Sequence, residues 1–222
     1  MPRITEERRD ARREQIIDAA RACVQEHGLE AVSMEMIIAR SGLSTGAVYR
    51  YFAGKDAIMS AAVAAGTAGL AQAIAPVLAD PDPPALPEFV GELISAGLAY
   101  ALEDRDVDLT RMAIHGWSHV QTDPVLKTAT LAAYQGIRDQ LAEAVKRWQA
   151  AGTVDPQADP AAIAQLLTSI SLGFVAQRAL AGSADPAAHV AALKAITQNA
   201  SVSEPRASSK RLTSRSKRHS PR

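Results

Sequence analysis

Apolar residues recur every three or four positions along most of the chain, which is the spacing of amphipathic helices. A first helix is predicted over about 5–27, where Gly28 ends it, and a short helix is predicted after Ser33. Another helix begins at Ser44, and a long one follows from about residue 56 to 78. The remaining predicted helices cover 86–102, 107–119, 124–151, 160–181 and 186–198. No segment shows strand-like alternation, so the predicted fold class is all-α.

Three of these helices begin with an Asp–Pro pair, at Asp123-Pro124, Asp159-Pro160 and Asp185-Pro186. An aspartate is a good N-cap, and a proline in the first helical position loses no hydrogen bond because its missing N–H would have no helical partner. The pairs therefore predict the starts of the last three helices.

The segment from Ser33 to Phe52 predicts two short helices joined by a tight turn at Gly42. On a helix of about 100° per residue, the second helix has two sides. One side holds Ala47, Val48 and Tyr51 together with the N-cap candidate Ser44. The other side holds Thr45, Gly46, Tyr49 and Arg50. We expect the first side to pack and the second to face a partner.

This segment, continued by Lys55-Asp56, resembles the DNA-binding head of the TetR family. The chain matches the family's pattern at the same spacing through Ile37, Gly42-Leu43-Ser44, Gly46, Val48-Tyr49, Tyr51-Phe52 and Lys55-Asp56. One departure is Ser41, where the family usually has alanine, but a small residue still fits between packed helices. The resemblance implies a three-helix, helix-turn-helix head followed by a helical-bundle body that binds a ligand and dimerises.

Physical roles follow for the head residues. Ser44, Thr45 and Gly46 begin the helix that would enter the major groove, with Gly46 allowing close backbone approach and Tyr49 and Arg50 extending along it. Ser33 and Lys55 would contact phosphates. By resemblance, Thr45, Tyr49 and Lys55 occupy DNA-contact positions of the family, and Arg50 occupies a variable one, so we expect Arg50 to recognise sequence. Gly42, Tyr51 and Phe52 are expected to serve backbone geometry or packing.

Charge is unevenly distributed, although the chain is neutral overall. Residues 1–60, 61–198 and 199–222 carry net charges of 0, −6 and +6. An acidic body would be repelled by DNA, so contact is expected at the head or the basic tail. The N-terminal arginines, Arg3, Arg8, Arg9, Arg12 and Arg13, could reach DNA or could instead pair with interleaved carboxylates along the helix.

The body is expected to enclose an effector pocket, as the resemblance implies. Aromatic and polar-tipped residues on helices that otherwise carry small side chains favour a largely hydrophobic small molecule. The candidate pocket residues are Tyr100, Met112, His115, Trp117, Tyr134, Phe174 and Gln177.

The resemblance also implies a homodimer through helices 161–181 and 187–198. The apolar stripe Ile163, Leu166, Leu167, Ile170 and Phe174 agrees with a packed helix face. Two heads would then bind a double-stranded operator with two-fold symmetry. The predicted function is a transcriptional repressor that is released by its effector. An activator, or an architectural DNA-binding protein without an effector, stays open as the alternative.

No enzyme, metal or cofactor site is predicted. His115 and His119 share a helix face but lack a third ligand, and Cys23 lies on an apolar helix face, where a thiol usually packs. The uncharged segment 57–79 is rich in Ala, Gly, Ser and Thr, so we expect a buried helix and no membrane partner. With no signal-peptide pattern and one cysteine, a cytoplasmic protein is expected. The expected domains are 1–55, 56–199 and a disordered tail, 200–222.

Overall fold

A computed structural model describes residues 6–103 and 107–200 of the chain. Within them the structure has nine helices and no strand, which confirms the predicted all-α class. The helices are α1 Glu6–His27, α2 Met34–Ser41, α3 Thr45–Tyr51, α4 Lys55–Leu78, α5 Leu86–Ala101, α6 Leu109–Thr122, α7 Pro124–Ala150, α8 Pro160–Ala181 and α9 Pro186–Ala200. Arg3 and residues 201–222, which include the predicted tail apart from Ala200, lie outside the described residues.

Local sequence signals set most helix ends. Asp123, Asp159 and Asp185 each accept a backbone N–H from the first turn of the following helix, at 2.9 Å, so the predicted N-caps are confirmed. Helix α6 begins two residues later than predicted, because Asp108 caps it by accepting the N–H of Thr110. It also extends to Thr122, beyond the predicted end at residue 119.

The head, α1 to α3, is built around a small hydrophobic core. Ile16, Ile17, Ile37 and Val48 are fully buried there. Cys23 is also buried in this core, and burial raises the pKa of its thiol, an effect that Arg40 opposes. Phe52 is 5% exposed and Tyr51 packs against the same core, so their predicted packing roles are confirmed.

The body is a helical bundle in which α4 packs against α1, α5, α6 and α7. Its core joins Leu78 of α4, Phe89 of α5, Leu141 and Trp148 of α7, and Leu167 of α8. The rings of Phe89 and Trp148 meet edge to face with centroids 4.9 Å apart. The first turns of α4 belong to the head core instead, through buried residues between Ile58 and Ala62. Helix α4 therefore joins the two cores, and the domain limits given above stay a prediction.

Two helices, α4 and α8, are long and apolar enough to cross a membrane by length and composition alone. Both pack against other helices of the same chain. The expectation of a buried α4 holds only near its ends, at Ile58 to Ala62 and at Ile74 and Leu78. The middle of α4 is partly buried and, from Val63 to Leu70, contributes to the wall of a cavity.

The apolar stripe predicted for the dimer contact faces mostly inward. Leu167 and Phe174 are 1% and 3% exposed, because α8 packs them against α7 and the neighbouring helices. The periodicity of this stripe therefore reports the core of one subunit. Large apolar residues exposed on α8 and α9 are instead Leu166, Leu180 and Ile196, at 59%, 81% and 69%.

Candidate nucleic-acid interface and internal cavity

Helix α3 is held in place by a turn of defined geometry. Gly42 ends α2 with a φ of 66°, the left-handed conformation that favours glycine, which confirms its predicted role. Ser41 is buried, and its hydroxyl donates to the Ile38 carbonyl and accepts the Leu43 N–H. Serine thus fits this packed position without an unsatisfied group. The Ser44 side chain accepts the Ala47 N–H at 3.3 Å and caps α3, as predicted.

The two predicted sides of α3 are present in the structure. Val48 is fully buried, and Ala47 and Tyr51 are partly buried. Thr45, Gly46, Tyr49 and Arg50 are all exposed, with Tyr49 at 49%. A Cβ added at Gly46 would meet no atom within 4 Å, and Gly46 has no left-handed φ. Nothing inside the described chain therefore requires glycine at this helical position.

The side chains of Ser33 and Lys55 already have partners within the head. The Ser33 hydroxyl accepts the Met36 N–H at 3.3 Å, which makes Ser33 the N-cap of α2. The Ser33 side chain also hydrogen-bonds to Glu35 and lowers the pKa of that carboxyl below its ordinary value. A backbone hydrogen bond to Glu35 lowers this pKa further, by a smaller amount. The Lys55 ammonium donates to the carbonyl oxygens of Val32 at 3.0 Å and Leu29 at 3.5 Å. Lys55 thus connects the start of α4 to the loop before α2.

Arg8, Arg9, Arg12 and Arg13 are exposed on the first turns of α1. Among the residues that the structure describes, none of the four forms an ion pair with the interleaved carboxylates, and Glu14 pairs instead with Arg21. The Arg13 guanidinium lies 5.3 Å from the centroid of the Phe52 ring. Arg13 therefore rests against the head core.

The body encloses a cavity of about 210 Å³. Most of its wall comes from α4, α5, α6, α7 and α8, and most of the lining side chains are apolar. Three residues of the head also line it: Arg21 and Val24 of α1, and Leu29 of the following loop. The same space therefore touches the head and the body.

Six of the seven candidate pocket residues line this cavity: Tyr100, Met112, His115, Trp117, Tyr134 and Phe174. The Trp117 Nε1–H donates to the Tyr134 hydroxyl oxygen at 3.3 Å, and His115 stays exposed at the edge of the cavity. The structure does not bring Gln177 to the lining. Gln177 follows the lining residue Thr168 by nine positions, or two and a half helical turns. Its side chain is therefore exposed on the opposite face of α8.

Arg21 and Thr130 line the cavity but were missed by sequence reasoning. Arg21 is 13% exposed and pairs with Asp18 at 3.0 Å and Glu14 at 3.4 Å. Its position among apolar residues of α1 was an available signal. Thr130 precedes Tyr134 by four residues, so the helical period of α7 placed the two on one face.

A polar cluster joins α4 to the junction of α6 and α7. The Ser60 hydroxyl donates to Asp123 Oδ2 at 2.6 Å and lies 3.1 Å from His119 Nε2. Hydrogen bonds from Ser60 and from the Leu126 N–H hold the pKa of Asp123 below its ordinary value. His119, considered above as a metal ligand, thus contacts a serine of the first turns of α4. Asp123 is the cap of α7, so the cluster fixes where α4 meets α6.

Tyr100 packs closely against α4. A Cβ added at Gly69 would overlap the Tyr100 hydroxyl and ring and would lie 2.7 Å from its Cε2 atom. Burial raises the pKa of the Tyr100 hydroxyl, and the nearby Arg21 opposes this shift. Glycine at position 69 thus allows α5 to bring an aromatic ring onto α4 at the cavity wall.

Two family profiles match most of the chain. Residues 16–62 match the profile described as "Bacterial regulatory proteins, tetR family", and residues 91–200 match "BetI-type transcriptional repressor, C-terminal". Among characterised sequences, the HTH-type transcriptional repressor Rv1474c of Mycobacterium tuberculosis is 34% identical over 91 residues. That match covers 37% of this chain and about half, 49%, of the relative.

Solved structures share the fold over most of the chain. A TetR transcription regulator from Haloarcula marismortui superposes with a TM-score of 0.69 at 18% identity, covering 86% of this chain and 98% of that one. The transcriptional regulator FadR from Bacillus subtilis, in complex with stearoyl-CoA, gives a TM-score of 0.62 at 17% identity, with coverages of 83% and 95%. At these identities the similarity concerns the fold alone.

Proposed function

The chain belongs to the TetR family of DNA-binding transcriptional regulators, and we propose that it is a repressor released from a palindromic operator by a small, largely hydrophobic effector. The observation that carries this proposal is the cavity shared by Arg21 and Val24 of the head and the helices of the body. A ligand in that space would contact the element that supports α3.

DNA recognition is proposed for the exposed side of α3. With Val48 fixed in the core, Thr45, Tyr49 and Arg50 point away from the head and can enter a major groove. Gly46 has no internal reason to be glycine and costs about 1 kcal/mol of helix stability relative to alanine. A glycine at this position would be explained if the helix backbone approaches the DNA too closely for a side chain. Arg50 is proposed to contact a base, since a guanidinium can bond two acceptors of guanine.

Phosphate contacts are proposed for Ser33, Ser44 and Lys55, and for the arginines at the start of α1. Lys55 has three N–H groups, two of which approach carbonyl oxygens, so one can still meet a phosphate. The Ser33 oxygen accepts the Met36 N–H, and its hydroxyl hydrogen is used by Glu35, so a phosphate would have to share or replace the bond to Glu35. Arg8 and Arg9 are exposed without an ion pair in the described part of the chain, which favours a role in DNA attraction.

A homodimer through α8 and α9 is proposed, with the contact on their outward faces. Leu166, Gly173 and Leu180 follow one another at intervals of seven residues on α8, and no described atom would meet a Cβ at Gly173. A small residue between two exposed leucines permits close helix approach. Ile196 on α9, which is also exposed, adds an apolar side chain to the proposed two-fold contact.

The effector is proposed to bind in the body cavity and to favour a head position that does not fit the operator. Family members bind ligands, and FadR of Bacillus subtilis was solved with stearoyl-CoA. The apolar lining here suits a hydrophobic molecule or chain. Release requires that the effector bind the non-operator state more tightly, by about 1.4 kcal/mol for each tenfold loss of DNA affinity. With operator DNA as its partner, the protein is proposed to act in the cytoplasm.

The first experiment is selection of bound sequences from a random DNA pool by the full chain, followed by footprinting. The proposal expects an inverted repeat. The centres of its two half-sites should lie about 34–36 Å apart, or a multiple of that distance. Arg50→Ala should lose about 1–3 kcal/mol of discrimination at one base pair in each half-site. Arg138→Ala, on α7 of the body, is the matched control and should bind normally. Selection that returns no repeat would refute operator recognition.

The second experiment adds hydrophobic compounds, including long-chain acyl-CoA, to the operator complex. Release by at least one compound, with saturation and with loss of release in a cavity-filling Ala113→Trp variant, would support the effector model. The alternative, an architectural protein, predicts that deletion of 201–222 flattens the salt dependence and removes most affinity. The repressor proposal predicts that specific affinity survives this deletion.

A further inference from the structure

The hydroxyl of Thr130 lies at the cavity wall, is buried, and has no hydrogen-bond partner among the described residues. The residue is 5% exposed and lines the cavity from α7. Its Oγ1 atom makes no hydrogen bond to any described residue. A buried hydroxyl left unpaired is destabilising and is uncommon in folded proteins. Such a group at a cavity wall can be satisfied by a ligand.

The other three threonine hydroxyls of the described lining are paired, so this state is specific to Thr130. Thr110 donates to Asp108 Oδ1 at 2.5 Å. Thr168 donates to the carbonyl of Ala164 at 2.9 Å, and Thr67 donates to that of Val63 at 2.9 Å. Both use the carbonyl four residues earlier in their own helix. Thr130 also lies within a helix, α7, but does not make this bond. Its hydroxyl therefore remains available to the cavity.

Tyr134, one helical turn further along α7, carries a second available donor. Its hydroxyl oxygen accepts the N–H of Trp117, so the hydroxyl hydrogen must point elsewhere. No acceptor for that hydrogen is found among the described residues. Thr130 and Tyr134 lie on the same face of α7, and both line the cavity. The described lining contains no aspartate or glutamate that could accept from them.

We infer that Thr130 and Tyr134 form a donor pair that recognises a hydrogen-bond acceptor, such as a carbonyl oxygen or an aromatic ring nitrogen, on an otherwise apolar effector. The inference rests on the proposed function and narrows its ligand class. The apolar part of the effector would lie against the aliphatic side chains of α4 and α5, and the acceptor would face α7.

Thermal unfolding without ligand tests the state of the hydroxyl. Thr130→Val removes an unpaired hydroxyl and keeps the side-chain shape, so the Tm should rise by about 2–4 °C. Thr168→Val is the matched control, because it removes a hydroxyl that is already paired, and its Tm should not rise. A Tm for Thr130→Val that equals or falls below wild type would contradict an unpaired hydroxyl.

Binding of naphthalene and quinoline tests recognition. The two rings have nearly the same shape, but quinoline carries one ring nitrogen that accepts a hydrogen bond. The preference of wild type for quinoline, taken as the ratio of the two Kd values, should fall about three- to tenfold in Thr130→Val. Thr130→Ser, which keeps the hydroxyl, and Thr168→Val should retain the wild-type ratio. Comparing ratios cancels the different hydration of the two probes.

The outcomes separate this inference from the proposed function. An unchanged ratio in Thr130→Val, with both probes still releasing operator, would overturn the inference and leave the effector proposal standing. If neither probe binds wild type or Thr168→Val, the cavity is not a hydrophobic ligand site and both fail. A reduced ratio in Thr130→Val alone supports both.

Discussion

The contact between Tyr100 and Gly69 gives the sharpest test of how α4 and α5 form the cavity wall. In Gly69→Ala the new methyl group would overlap the Tyr100 ring, so either the ring must turn or the two helices must separate. Overpacking of this kind costs about 1–3 kcal/mol. Alanine also returns about 0.8–1.0 kcal/mol of helix propensity relative to glycine. We therefore expect a net loss of zero to about 2 kcal/mol in the free energy of unfolding.

Gly66 provides the matched control, because it lies one turn earlier on α4, at the cavity wall that Tyr100 lines. A Cβ at Gly66 would meet nothing within 4 Å. Gly66→Ala should thus show the propensity gain alone and stabilise the protein by about 1 kcal/mol. The difference between the two variants isolates the Tyr100 contact and should be about 1–3 kcal/mol.

Urea unfolding followed by circular dichroism measures both variants at equal protein concentration. The double variant Gly69→Ala, Tyr100→Ala should lose less stability than the two single changes together, since the clash requires the ring. Binding of a hydrophobic probe should also weaken in Gly69→Ala if the ring turns into the cavity. Equal stabilisation by Gly66→Ala and Gly69→Ala would refute the packing described for Tyr100.

Three further outcomes are expected. Gly46→Ala should raise the stability by about 1 kcal/mol, because the methyl meets no atom, yet lower operator affinity about tenfold in gel-shift titrations; unaltered affinity would argue against close backbone approach. Leu166→Glu should yield monomers in light scattering if α8 forms the dimer contact, whereas Leu131→Glu, exposed at 52% on α7, should not; dimers in both cases would place the contact elsewhere. The lowered pKa of Asp123 stabilises the fold above the unfolded pKa of about 4, and this stability is lost as pH falls through the lower folded pKa. Ser60→Ala should raise the Asp123 pKa in carboxyl NMR titrations and make acid unfolding begin at higher pH, and an unshifted titration would show that Ser60 does not hold the charge.

Most of the fold was predictable from local signals. The Asp–Pro pairs gave the starts of α7, α8 and α9, and glycines gave the ends of α1 and α2, because capping depends on residues adjacent in the chain. The helical wheel of α3 correctly placed Val48 and Arg50 on different sides, because the period of a helix is also a local property of the chain. The resemblance supplied the meaning of that exposed side, which periodicity alone does not give.

The cavity was predictable only in part. Aromatic residues such as Trp117 and Tyr134 were found because their type is unusual on helices of small residues. Gln177 was included although it faces outward, and Arg21 was omitted although it lines the wall from the head. Which of two faces of a helix meets a cavity depends on the helices packed around it.

The sequence by itself determined the helices, their caps and the exposed side of α3, since these depend on contacts within a few residues. Only the tertiary structure decided that the stripe containing Leu167 and Phe174 belongs to the subunit core, that the Thr130 hydroxyl has no partner among the described residues, and that Arg21 of α1 reaches the body cavity. Each of these depends on which helices meet across tens of residues, and the spacing of residues along one helix carries no information about its neighbours.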